Sequence, residues 1–168
     1  MGKMILIIAG TGQGKSTKVK SLIHNKACLV WDVNGEYGDL PFDANANRCR
    51  FFSQEIKDFL EIVPKKHGGT IVVCEEATGF FQGATGKETK KIIVGKRHPV
   101  DLGGRNLIFV FHTINAVPPF ILDTADTIII GKTGDDANRV RQKSRKLLSV
   151  WQKVMAMPKY TFINFKNI

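Results

Sequence analysis

Met4-Ile5-Leu6-Ile7-Ile8-Ala9-Gly10-Thr11-Gly12-Gln13-Gly14-Lys15-Ser16-Thr17 decides the fold of this chain: an apolar run, a glycine loop, then a helix-like segment. Strand, loop and helix in that order make a cradle for phosphate. Gly12 and Gly14 let the backbone turn its N–H groups inward, and the helix that follows presents its positive end. Lys15 can reach outer phosphates and the Ser16 hydroxyl can ligate Mg²⁺. Thr11, Gly12, Gln13, Gly14, Lys15, Ser16 and Thr17 are therefore the candidate nucleotide-binding residues, with ATP and Mg²⁺ as the expected cofactors. The pattern G-x-x-x-x-G-K-[ST] is met except at its first position, where Ala9 stands for glycine; alanine serves there if φ stays negative.

At 168 residues the chain fits one domain, residues 1–168, able to bury roughly 70% of its unfolded surface without disulfides or a structural metal. Twenty-five Lys and Arg against 15 Asp and Glu leave a formal charge of +10, which favours a polyanionic partner, nucleic acid first. Charge that merely solubilises the fold is the alternative. Cys28, Cys49 and Cys74 form no CxxC pair, and two of them sit in apolar runs, so buried free thiols in a reducing compartment are expected rather than zinc or disulfides. His24, His67, His98 and His112 show no metal-ligand spacing. With no run of 18 apolar residues and no leader-like start, the expectation is a soluble intracellular protein with no membrane span.

Further along, short β-branched runs alternate with helix-like stretches, the signature of an α/β domain with a mostly parallel sheet flanked by helices. Strands are expected at residues 4–9, 27–31, 49–52, 70–74, 107–111, 127–130 and 160–165. Helices are expected at 15–25, from a Ser53 cap to Pro64, at 87–97 before Pro99, and after Asp135. The last has a basic face of Arg139, Arg141, Lys143, Arg145 and Lys146. Residues 78–89, rich in Gly, Thr and Gln, read as a mobile loop too polar for the core.

A phosphate loop needs a carboxylate at the tip of another strand. Ile71-Val72-Val73-Cys74-Glu75-Glu76 offers two: Glu75 nearest the metal, Glu76 as general base for an attacking water. A solvated acidic turn is the competing reading. The strand-and-helix unit of residues 49–64, lying between strand 27–31 and the acidic strand, points to the ATPases with an added strand and a catalytic glutamate. The turn Trp31-Asp32-Val33-Asn34-Gly35-Glu36-Tyr37-Gly38 should face the same crevice, bringing Asp32 and Glu36 toward nucleotide; an ordinary surface turn is its alternative.

Three stretches together resemble the HerA/FtsK superfamily of hexameric DNA-translocating ATPases: TGQGKS, the DVNGEYG turn, and RNLIFVFHTINAVPPFILDTADTIIIGKTGD. The resemblance implies a RecA-like (ASCE) P-loop NTPase sheet and a homo-oligomeric ring, a hexamer, moving double-stranded DNA through its pore by ATP hydrolysis. It carries over Lys15 and Ser16 to nucleotide and metal, Glu75 and Glu76 to the metal and catalytic acids, and Glu36 to a further catalytic acid. Thr113, with His112 beside it, falls at the sensor position, where Ile114 replaces the family's usual Gln. Arg97 resembles the element that supplies an arginine across the ring interface, with Arg105, Arg139 and Arg141 as rivals. A bare core of this size is most similar to phage and viral genome-packaging ATPases, which implies capsid vertex proteins as partners and the host cytoplasm or a virion packaging vertex as location. Two readings compete: a phage assembly or secretion NTPase like the zonula-occludens-toxin-like proteins, and a small-molecule kinase.

Overall fold

The computed structural model describes residues 1–52, 56–83, 86–98 and 104–166; Ser53, Pro99 and residues 84–85 of the expected loop lie outside them. One seven-stranded sheet organises the described residues. Its strands are β1 (Met4–Ile8), β2 (Cys28–Trp31), β3 (Arg48–Phe51), β4 (Ile71–Cys74), β5 (Asn106–Phe111), β6 (Thr127–Ile130) and β7 (Ile163–Lys166). The order is β3-β2-β4-β5-β1-β6-β7, with every pairing parallel except the antiparallel β6–β7 edge. The acid-bearing strand β4 is thus separated from the loop strand β1 by β5, which is the added-strand arrangement expected from the sequence.

Along β1 the side chains alternate between two cores, as strand geometry requires. Met4, Leu6 and Ile8 join one apolar layer; Ile7 joins the other with Val19 and Ile23 of α1 (Lys15–Ile23) and with Tyr37 and Leu40. α1 ends two residues earlier than expected, because Asn25 adopts a left-handed backbone with φ 55° just past the helix. The opposite layer packs α2 (Ile56–Ile62), with its Phe59 fully buried, and a following 3₁₀ turn at Val63–Lys65 where Pro64 stops the helix.

The polar stretch expected as a loop is largely helical: α3 (Ala77–Gly83) and α4 (Gly86–Gly95) occupy it. The cause is aromatic burial. Phe80 is fully buried against Trp31, Phe59 and Phe109, and Phe81 stacks on Phe111, so packing overrides the weak helix preference of neighbouring Gly and Thr. After β5 come α5 (Pro119–Thr124) and, in place of one basic helix, two: α6 (Ala137–Lys143) and α7 (Arg145–Met155). Each has its own cap. The Asp136 carboxylate accepts from the N–H groups of Asn138 and Arg139, and Ser144, in extended backbone between the helices, accepts from Leu147 N–H. All three cysteines are buried free thiols.

Candidate functional site

Parallel strands gather their carboxyl ends on one edge, so the loops after β1, β2, β4 and β5 meet there. A cavity of about 370 Å³ at this edge is lined by Thr11, Gly12, Gly14, Lys15, Ser16 and Thr17 from the glycine loop. Facing them are Asn34 and Glu36 after β2, Glu75 and Glu76 after β4, His112 after β5, and Tyr160. Residues as far apart as 11 and 160 therefore share one hollow.

The loop has the backbone its sequence implies. Gly12 and Gly14 adopt φ of 67° and 82°, left-handed backbone that favours glycine, and both line the cavity. Ala9 is not among the residues with positive φ, which is why alanine serves at that position. No side chain caps the first turn of α1, leaving its N–H groups available to an anion. Gln13 does not line the cavity; its amide oxygen is buried without a hydrogen-bond partner.

Lys15 is buried at 8% exposure, and its ammonium donates to the Gly10 carbonyl at 3.0 Å and to His112 Nδ1 at 3.1 Å. Burial pulls its pKa below the ordinary value, against the opposing pull of Glu76, Glu75 and Glu36. An ammonium has no lone pair, so Nδ1 of His112 must accept and Nε2–H must donate. Nε2 indeed meets Glu76, which also accepts from Asn34 at 3.5 Å. Glu76 itself sits at φ 50°, a left-handed backbone that turns the chain from β4 into α3 and its carboxylate toward His112.

Glu75 is held differently. Fully buried Tyr37 donates its hydroxyl to Glu75 Oε1. Burial raises the Glu75 pKa to about 7 even though the Tyr37 hydrogen bond and Lys15 favour the ionised form. Tyr37 is positioned in turn by Asp32, which corrects the expectation that Asp32 reaches nucleotide. Asp32 is 0% exposed and its carboxylate accepts from the Glu36 and Tyr37 N–H groups and from Arg50 at 3.0 Å. The Arg50 guanidinium lies over the ring of Phe42 at 4.3 Å. Asp32 is an anchor, and Glu36 alone of this acid pair lines the cavity.

Thr113 does not line the cavity; its hydroxyl accepts from Ala116 N–H, while His112 takes the inward place. Arg97 is exposed and lies at the opposite edge of the sheet, since the adjacent Lys96 carbonyl accepts from Gly2 N–H ahead of β1. It cannot reach this chain's own cavity. Arg105 is also at that far edge, donating to the carbonyls of Pro64 and Lys66. Arg139 and Arg141 follow the carboxyl end of β6 and are exposed, with Arg139 paired to Asp136 at 3.2 Å. Asn34, Tyr37 and Tyr160 are the site residues that sequence reasoning assigned no role. Tyr37 stands in the DVNGEYG turn; Tyr160, in a short polar stretch before the last strand, carries no motif.

A glycine loop with its lysine on one strand, and a pair of glutamates one strand removed, define a P-loop NTPase of the added-strand class. The family model described as "Helicase HerA, central domain" matches residues 2–163, and the chain belongs to that family, a P-loop ATPase domain of the HerA/FtsK type. Among solved structures it is similar to the genome packaging NTPase B204 from Sulfolobus turreted icosahedral virus 2 in complex with AMPPCP. The TM-score is 0.78 at 17% identity, covering 99% of this chain and 93% of that one. It is also similar to ATPases 2 and 3 of EssC from Geobacillus thermodenitrificans, with a TM-score of 0.63 at 15% identity, covering 99% of this chain and 38% of that one. A search of curated protein sequences found no match. Among the described residues no helix is long and apolar enough to cross a membrane.

Proposed function

We propose that this chain is the ATP-hydrolysing subunit of a ring that moves double-stranded DNA, used to package a viral or phage genome into a preformed capsid. The observation that carries the reading is the convergence of Lys15, Glu75 and Glu76 on one cavity in a fold shared with a viral packaging NTPase. Lys15 meets a carbonyl and an imidazole there, and its charge suits the outer phosphates of a triphosphate. Glu76 takes the proton from the attacking water, with His112 and Asn34 aiming its carboxylate. Glu36 stands beside them as a further acid.

Ser16 and Glu75 fit a magnesium ion: one hydroxyl and one carboxylate, both hard oxygen donors, line the same cavity. Bound there, the ion supplies positive charge to the phosphate oxygens. Tyr37 fixes the Glu75 carboxyl for that task. Arg97 can contribute only from a neighbouring subunit, which is the reason a ring enters the proposal. The exposed cations Arg139, Arg141, Arg145 and Lys146 contact DNA phosphates without reading sequence.

Phosphate release measured against protein concentration, with and without duplex DNA, tests this. Expected are DNA stimulation, a rate per subunit that rises with concentration, and binding that weakens steeply with salt. Glu76→Gln should keep ATP binding and lose turnover by roughly 10²-fold or more. Mixing Arg97→Ala with Lys15→Ala subunits should restore some turnover; none restored removes Arg97 from the trans role. A phosphorylated small-molecule acceptor would replace the motor with a kinase.

A further inference from the structure

We propose that Asp135 is a positioning residue for hydrolysis: its carboxylate clamps the turn after β5 so that His112 meets Lys15 and Glu76 together. This rests on the ATPase reading above and adds to it the residue that sets the histidine. β5 pairs with β1 as far as Phe111, whose carbonyl accepts from Ala9 N–H at 3.1 Å. His112 is the first residue past that pairing, so the sheet no longer fixes its backbone. Its ring nevertheless serves two partners at once, Lys15 at Nδ1 and Glu76 at Nε2. Bonds on opposite sides of one imidazole tolerate little displacement, because a hydrogen bond weakens steeply with distance and angle.

The turn closes on itself and is then held from outside. Thr113 Oγ1 accepts from Ala116 N–H at 3.2 Å and the Ile114 carbonyl accepts from Val117 N–H at 3.2 Å, which sets its shape. Ile114 and Val117 are buried in the apolar layer and hold it down, but apolar contact has no direction and leaves the peptide planes free to rock. Asp135 supplies the direction: Oδ2 accepts from Ile114 N–H at 2.8 Å and Oδ1 from Asn115 N–H at 3.2 Å. Bonds to an ionised acceptor are the stronger kind, and one oxygen on each of two successive N–H groups fixes both planes. Asp32 holds the turn after β2 in the same manner, through the N–H groups of Glu36 and Tyr37.

The clamp has a firm base. Asp135 belongs to the segment that leaves β6, and β1 lies between β6 and β5, so the carboxylate reaches across the end of the phosphate-loop strand. In the same segment the Lys132 carbonyl accepts from Gly10 N–H at 2.7 Å. Thr133 Oγ1 accepts from the buried Trp151 Nε1–H at 2.9 Å and from Asp135 N–H at 3.4 Å. One segment therefore holds the phosphate loop at Lys132 and the His112 turn at Asp135. Helix capping does not account for this acid, because the next residue, Asp136, caps α6.

A double-mutant cycle with His112 tests this, read by phosphate release at saturating ATP and duplex DNA and by ATP calorimetry on the full chain. Asp135→Asn keeps one acceptor and turns an amide donor toward the other backbone N–H. It should slow turnover about tenfold or more at unchanged ATP affinity. In a His112→Ala background, itself slower than the parent, the same change should cost no more than about twofold, because the group it positions is gone. Asp136→Ala uncaps α6 next door, so it should melt lower than the parent and keep its turnover, which separates a loosened segment from a misplaced histidine. The clamp is overturned by parent turnover in Asp135→Asn or in His112→Ala, by losses that multiply in the double variant, by ATP affinity that falls in step with turnover, or by an Asp136→Ala variant as slow as Asp135→Asn. A parent that releases no phosphate from ATP overturns the ATPase reading instead.

Discussion

Lys15 and Lys96 are both 8% exposed, yet they stand at opposite edges of the same sheet and are satisfied in opposite ways. Lys96, below β1 and β6, is paired to Asp126 at 2.9 Å and donates to the Thr124 carbonyl at 2.7 Å. Asp126 in turn accepts from Met4 N–H, so the pair ties the turn after α4 to the start of β1. Its carboxyl pKa lies below the ordinary value: burial raises it, but the Met4 and Lys96 hydrogen bonds more than offset that. Lys15, at the carboxyl edge, makes no direct ion pair among the described residues, only bonds to a carbonyl and an imidazole. One lysine has been neutralised by the fold. The other has been desolvated and left for an anion, which is how a buried cation marks a binding site.

The contrast breaks first at Lys15. Lys15→Ala should cut phosphate release by 10³-fold or more without lowering the melting temperature, because nothing in the fold depends on its charge. A collapsed melting temperature would make Lys15 a structural residue like its counterpart. At the same edge, Glu75 predicts how the nucleotide-free protein responds to pH. In the unfolded chain this carboxyl ionises near 4.5, whereas in the folded chain it holds its proton to about 7. The folded state binds more protons between those values, so stability falls as pH rises through that window. Denaturant titrations from pH 4.5 to 7.5 should show the parent losing up to about 3 kcal/mol relative to Glu75→Gln. A constant difference across the window would mean that Glu75 is solvated after all.

Lys96→Met should act the other way round from Lys15→Ala. It should cost about 1–2 kcal/mol in chemical denaturation, since it strands a half-exposed Asp126 rather than a deeply buried one, and leave ATP affinity alone. Weakened nucleotide binding in that variant would show the two edges to be coupled. The smallest effect is expected for Tyr37→Phe, which removes one hydroxyl from Glu75 and nothing from the apolar core. Turnover should fall roughly tenfold at constant ATP affinity, since a misplaced carboxylate costs about 1–1.5 kcal/mol in the reacting state. An affinity loss with unchanged turnover would assign Tyr37 to binding.

Much of the site edge was legible beforehand. The loop at residues 10–16, the acids at 75–76 and the turn at 32–38 are short motifs whose strand or turn context was readable. The rest was hidden for specific reasons. Asp32 and Glu36 look alike as acids four residues apart, and only Arg50, arriving from the neighbouring strand β3, decides that the first is sunk as an anchor and the second faces the cavity. His112 and Thr113 are adjacent just past the end of β5, and only the fold separates them: His112 lines the cavity, while the Thr113 hydroxyl accepts from Ala116 N–H. α3 was masked by Gly and Thr, whose low helix preference gives way to the burial of Phe80. Tyr160 is forty-eight positions from His112 and becomes a site residue through the return of the chain after α7.

What the sequence alone determined is the local chemistry: which strand carries the phosphate loop, which carries the acids, and that parallel strands must bring both to one edge. Those follow from glycine geometry, residue charge and the one-way direction of the chain in a parallel sheet. Only the tertiary structure decided which of two like neighbours is buried and which is offered to a ligand. Burial, partner and backbone sign are set by residues distant in the chain, such as Arg50 against Asp32, Tyr37 against Glu75 and Asp126 against Lys96, and no local pattern records them.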